Sequence, residues 1–229
     1  MATLTFKSEE FRHFPPILRE YASHIAVIRG NSEKTVCEYL LDLRTFFRYY
    51  IVKRDGLSPD EKEFEKIDIT GLDTEFFASV TSTEVYSFLS YVKNERENKT
   101  DARARKLSAI KQFYKYCTAR IMVFENDPVA NIEGPKQPKK LPKHLSVDEC
   151  VDLLDSVTND KESKTRERDY CILTLFLNCG LRLSELCGIN LTDFDKDMHM
   201  LKVTGKGSKE RIVYLNDACR AAIEAYMPI

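Results

Sequence analysis

The chain has 229 residues, long for one small domain and sufficient for two modest ones. An apolar content of 43% supports ordinary cores, and no apolar run reaches the roughly 18 residues of a membrane-spanning helix. The formal net charge of −1 by itself argues nothing for a nucleic-acid partner.

The distribution of charge says more than its sum. From Lys53 to Glu84 there are 4 basic and 9 acidic residues, whereas from Glu95 to Leu145 there are 12 basic and 6 acidic. Segregation of that kind allows a local positive surface on a nearly neutral protein, or simply two solvated faces of opposite sign. The N-terminus, MATLTFKSEEF, lacks the basic-then-apolar pattern of a signal peptide, which predicts a cytoplasmic protein. Seven cysteines, odd in number and never in C-x-x-C spacing, predict neither a disulfide framework nor a zinc site.

In chain order, Pro15 and Pro16 open a helix through ILREYASHIAVIRG, with Gly30 as its stop. The next run, KTVCEYLLDLRTFFRYYIVKR, carries Val36, Tyr39, Leu40, Leu43, Phe46, Phe47 and Tyr50 at three- and four-residue intervals, a strongly amphipathic helix. The acidic stretch from Asp55 to Asp73 has turn residues and no sustained period, and is predicted as a loop holding at most one short element. Thr81 and Glu84 form a capping box for a third helix through VYSFLSYVKNE.

A fourth helix covers DARARKLSAIKQFYKYCTAR. Its apolar stripe is Leu107, Ile110, Phe113, Tyr114 and Cys117, and Arg105, Ser108, Lys111, Gln112 and Lys115 fall opposite. That basic face suits a DNA groove, and equally suits plain solvent. ENDPVANIEGPKQPKKLPKHL then places four prolines between Asp127 and Lys143 and four lysines between Lys136 and Lys143, an extended basic connector.

Beyond it, Ser146 and Glu149 cap a helix through VDLLDSV, and RERDYCILTLFLNCG reads as an apolar, buried helix ended by Gly180. LRLSELCGI predicts a short helix, MHMLKVTG and ERIVYL a β-hairpin about GKGSK, and NDACRAAIEAYM a final helix, with Tyr226 at a core position.

Two positions in this second half carry chemistry. Arg182, between two leucines, needs an anionic partner if buried; Glu185, three residues on, can share its helical face. The pair is either purely structural or a support for bidentate grip on a phosphate. Lys206 sits in GKGSK, which lacks the spacing and following helix of a phosphate-binding P-loop. It is a solvated turn lysine, or a cation able to hand a proton to a leaving oxygen.

GLRLSEL followed after some twenty residues by a hairpin with TGKGSKER resembles the Xer-type tyrosine recombinases of the phage integrase family. KTVCEYLLDLRTFF, RKLSAIKQFYKY and ENDPVANIEGPKQPKKLPKHLSVDE extend the resemblance over essentially the whole chain, with residues 55–73 reading as an insertion. The resemblance implies a mainly α protein. Residues 1–133 would be a four-helix, SAM-like core-binding domain that clamps DNA, 134–144 a Pro/Lys-rich linker, and 145–229 the N-terminal part of a mixed α/β catalytic domain with a small β-hairpin.

It further implies DNA strand cleavage and rejoining through a 3′-phosphotyrosyl link, without metal or other cofactor, by a homo- or hetero-tetramer on a duplex recombination site. Arg182 would neutralise the phosphorane, Lys206 would act as general acid, and Glu185 would support the arginine. Thr35, Arg103, Arg105, Lys106, Lys111, Lys115, Lys139, Lys140, Lys209 and Arg211 would contact DNA, the last two through its backbone at most. The family's His-x-x-Arg box and nucleophilic tyrosine have no match here, so this chain alone is expected to bind DNA without cleaving it. A non-catalytic DNA-binding regulator derived from a recombinase is the alternative reading.

Overall fold

The computed structural model describes residues 4–57, 61–136, 141, 143–205 and 207–227. The chain divides into two compact units, residues 1–139 and 140–229.

Short α1 (Glu9–Arg12) opens the first unit, followed by α2 (Pro16–Val27), which starts on proline, and α3 (Glu33–Arg54), whose first turn is capped by the Ser32 hydroxyl. After these come α4 (Glu61–Phe64), α5 (Thr74–Ala78), α6 (Ser82–Asn94) and α7 (Thr100–Ala119). The four predicted helices correspond to α2, α3, α6 and α7. The stripe Val36, Leu40, Leu43, Phe46, Phe47 and Tyr50 of α3 is buried throughout. Phe47 packs edge-to-face against Phe77 and Phe113, with centroids 4.7 and 5.7 Å away, and Tyr114 donates its hydroxyl proton to the Phe77 carbonyl at 2.9 Å.

The acidic stretch is tied down more firmly than its composition predicts. Phe64 and Ile69 are buried, and Glu65 accepts from Arg48 at 2.7 Å and from Arg96 at 3.2 Å. Arg48 also donates to the Ile67 carbonyl at 2.9 Å. The five-residue α5, capped by Asp73, is too short to show a period in sequence.

The second unit holds α8 (Val147–Thr158), α9 (Arg166–Cys179), α10 (Leu183–Cys187), a 3-10 turn (Leu191–Asp193), strands β1 (Met200–Thr204) and β2 (Glu210–Tyr214), and α11 (Asp217–Tyr226). The strands pair antiparallel in the register Met200↔Tyr214, Leu201↔Val213, Val203↔Arg211, Thr204↔Glu210. Leu201, Val203 and Val213 face the core with Cys171, Leu175, Cys219 and Ile223.

Two expectations change here. Helix α9 is buried on one side only, at Cys171, Thr174 and Leu175, while Leu177 is exposed. Tyr226 is no core residue: it is 41% exposed on the wall of an open apolar groove of about 600 Å³. The inward stripe of α11 is Cys219, Ala222 and Ile223, which leaves Tyr226 at its rim. Among the described residues no helix is long and apolar enough to cross a membrane.

Candidate functional site

Gly180 ends α9 in the left-handed conformation, φ 56°, which glycine adopts without strain, and turns the chain sharply toward α10. Leu181 is buried as an anchor, and Arg182 becomes the extended residue that caps α10. One turn on, Glu185 has no exposed side-chain surface, whereas the Arg182 side chain is 68% exposed.

The carboxylate of Glu185 is the hub. Oε2 accepts from the Arg182 backbone N–H at 2.9 Å, and Oε1 accepts from Arg182 Nη1 at 2.6 Å. From β2, Arg211 Nη2 donates to Oε2 at 3.0 Å and to the Gly180 carbonyl at 3.2 Å. The Arg182 N–H, the Arg211 guanidinium and the Arg182 guanidinium outweigh desolvation and hold the Glu185 pKa at about 2. One carboxylate therefore lies between two guanidiniums, and the cluster carries a net charge of +1. Its exposed member, Arg182, presents a planar fork with a fixed backing, the arrangement that grips a phosphate through two oxygens.

The hairpin closes on this cluster. A Cβ placed on Gly205 would lie 3.0 Å from Glu185 Oε1 and 3.6 Å from Arg182 Nη1, so any larger residue there would have to displace the Glu185 carboxylate by a few tenths of an ångström. The Gly205 N–H donates to the Lys209 carbonyl at 2.7 Å, and Gly207 and Ser208 turn with positive φ. Lys206 lies outside the described residues, as do Lys139 and Lys140. Lys209 is exposed.

The structure thus joins Arg182, Glu185 and Arg211, and the bond from Arg211 to Glu185 is one that sequence reading does not supply. Strand alternation carries part of the signal. Arg211 has the parity of inward-facing Val213 and sits opposite inward-facing Val203, so its side chain leaves the same face of the hairpin and reaches Glu185 while staying 42% exposed.

On α7 the basic face is partly engaged within the fold. Lys106, with 11% of its side chain exposed, lies 2.7 Å from Asp42 Oδ1 of α3, and Asp42 is 2% exposed. Arg105 hydrogen-bonds Glu38 and approaches Asp42 Oδ2 at 3.2 Å without hydrogen-bond geometry. Ser108 meets Tyr39 at 3.5 Å, and Gln112 accepts from Arg29. The polar stripe is therefore in part a seam toward α3 and the end of α2. Lys115 stays exposed and Lys111 half-buried, and neither forms an ion pair among the described residues; Arg103 donates to Thr100 at 3.2 Å, and Thr35 bonds Ser32 at 2.9 Å.

Comparison with known proteins agrees with this fold. Residues 143–229 match the phage integrase family. The chain is 41% identical over 216 residues to tyrosine recombinase XerC of Caldanaerobacter subterraneus subsp. tengcongensis, covering 94% of this chain and 59% of that protein. It is 36% identical to tyrosine recombinase XerC of Myxococcus xanthus, covering 93% and 63% respectively. Among solved structures, XerH site-specific recombinase bound to palindromic difH substrate matches with a TM-score of 0.63 at 17% identity, over 100% of this chain and 64% of that one. A lambda integrase tetramer bound to a Holliday junction matches with a TM-score of 0.61 at 18% identity, over 93% and 56%. The phage integrase match thus falls on the second unit, and the sequence likeness to tyrosine recombinases of the XerC type runs over more than nine-tenths of the chain. The chain spans about three-fifths of the length of the curated relatives it matches.

Proposed function

We propose that this chain is the DNA-binding part, and the cationic half of the catalytic site, of a site-specific tyrosine recombinase acting on duplex DNA. The observation that carries the reading is the exposed Arg182 fork backed by buried Glu185, with Gly205 of the hairpin packed directly against both. Charge develops on the non-bridging oxygens of a phosphate under attack, so a preorganised guanidinium stabilises the transition state more than the ground state. Lys206, the residue after Gly205, protonates the departing 5′-oxygen, which a poor leaving alkoxide requires in the same step. In this reading the attacking tyrosine is none of those in this chain, because none stands in the family's nucleophile pattern; Tyr21, Tyr50 and Tyr114 are in addition buried in the first unit. By itself the chain binds DNA and leaves it intact. Thr35, Arg103, Lys111 and Lys115 in the first unit and Lys209 in the second supply contacts to the duplex. The DNA-bound and tetrameric states of the solved relatives support the same partners and assembly here.

The test uses a nicked duplex and two proteins. This chain should bind with an affinity that falls steeply with salt and form no covalent adduct. A chain carried on to the length of its relatives should form one, and Arg182→Ala should reduce its rate roughly 100- to 1,000-fold, the usual effect of removing one preorganised oxyanion donor. Duplex binding with no adduct from the longer chain would instead establish a non-catalytic DNA-binding regulator.

A further inference from the structure

We propose that Arg211 is a positioning residue: it acts on the scissile phosphate through Glu185 and Arg182, without touching DNA itself. The proposal rests on the phosphate-site reading of Arg182. Its basis is the bridge made by Arg211 Nη2, which joins the buried Glu185 carboxylate (3.0 Å) to the Gly180 carbonyl (3.2 Å). That one nitrogen ties the support of Arg182 to the glycine turn from which Arg182 departs, and both ends of the Arg182 loop are thereby fixed.

Charge gives a second reason. Arg182 and Glu185 alone form a neutral pair, and an arginine neutralised by its own support attracts a phosphate weakly. The second guanidinium shares the carboxylate and restores a unit of positive charge to the cluster. Geometry decides which arginine meets the ligand. Among the described residues the Arg182 side chain bonds Glu185 alone and is 68% exposed, while the Arg211 nitrogen is occupied twice and its side chain is 42% exposed. A lysine at 211 keeps the charge, but an ammonium on a flexible stem does not reproduce the fixed fork that spans both acceptors.

The experiment is a double-mutant cycle on the full chain, with duplex affinity measured at fixed low salt for wild type, Arg182→Ala, Arg211→Met and the double variant. Arg211→Met should weaken binding about tenfold when Arg182 is present, the equivalent of one charge-assisted hydrogen bond to phosphate, and less than about twofold when Arg182 is already alanine. Equal losses in both backgrounds would mean that Arg211 holds DNA directly and would overturn the proposal. Should Arg211→Met fail to fold, Arg211→Lys runs the same cycle, with a smaller loss expected. A second readout needs no DNA: the side-chain order parameter of Arg182, measured by 15N relaxation, should fall in either variant. If wild type binds no duplex, the DNA reading fails by itself, and an unchanged Arg182 order parameter then refutes the positioning role as well.

Discussion

Replacing Lys106 by methionine isolates the energetics of the α3–α7 seam. The wild-type fold buries Asp42 to 2% exposure and answers it with Lys106 at 2.7 Å and Arg105 at 3.2 Å. Desolvation dominates the carboxyl even so, raising its pKa against the opposing pull of both cations. Lys106→Met keeps the length of the stem and removes its charge. Taking one partner from a buried ion pair costs about 3–5 kcal/mol, and because Arg105 remains we expect about 3 kcal/mol at pH 7. The sign with pH follows from the raised carboxyl. Loss of Lys106 raises it further, and a protonated Asp42 no longer needs a cation, so the deficit should shrink as pH falls through that raised value. Urea unfolding followed by tyrosine fluorescence is the assay, since 8 of the 11 tyrosines lie in residues 1–139. Asp42→Leu with Lys106→Met should recover most of the loss, as replacing a whole buried pair by apolar groups does. That double variant also asks whether Lys106 contacts DNA: engaged by Asp42, it should leave the salt dependence of binding unchanged, whereas a phosphate contact would lower the slope by about 0.9. A deficit below about 1 kcal/mol in the single variant, or one that grows as pH falls, would refute the reasoning.

At Glu185 the pH dependence runs the other way. Its folded pKa of about 2 lies below the ordinary carboxylate value near 4.5, so its contribution to stability is fully present above that value and is lost as pH falls toward 2. Glu185→Gln should therefore flatten the acid limb of the stability profile between those limits, as followed by acid titration of the second unit's amide signals. Gly205→Ala should shift the Arg182–Glu185 pair by a few tenths of an ångström to relieve the 3.0 Å contact, at a cost of about 1–3 kcal/mol; unchanged amide shifts at Arg182 and Glu185 in the variant would mean that the hairpin does not bear on the pair.

What was legible in sequence was whatever repeats at short range. The stripe of α3 from Val36 to Tyr50 could be read at three- and four-residue spacing, and the Glu185 support of Arg182 is a spacing of three. The capping boxes at Thr81–Glu84 and Ser146–Glu149 fall in the same class. Partners distant in sequence left no such trace. Asp42 and Lys106 are 64 residues apart, and Glu185 and Arg211 are 26 apart, so no local period joins them. Helix α9 failed for a different reason: an apolar side chain reports its own preference for burial, while the packing around it decides whether Leu177 finds cover.

The two buried carboxylates show how one device serves two ends. Asp42 and Glu185 each sit between two cationic side chains of distant segments. Around Asp42 the closer cation is itself drawn in, with Lys106 only 11% exposed, and the oxygen facing Arg105 has no hydrogen bond, so desolvation prevails and the acid is raised. The charges there end on one another, which fastens α7 to α3. Around Glu185 the carboxylate alone is drawn in; it accepts a backbone N–H and two guanidiniums that remain 68% and 42% exposed, and the acid is depressed. A buried acid that keeps its cations outside holds positive charge ready for an anion rather than cancelling it. That difference, visible only once side chains are placed, separates an ion pair that fastens two helices from the one we propose for a phosphate.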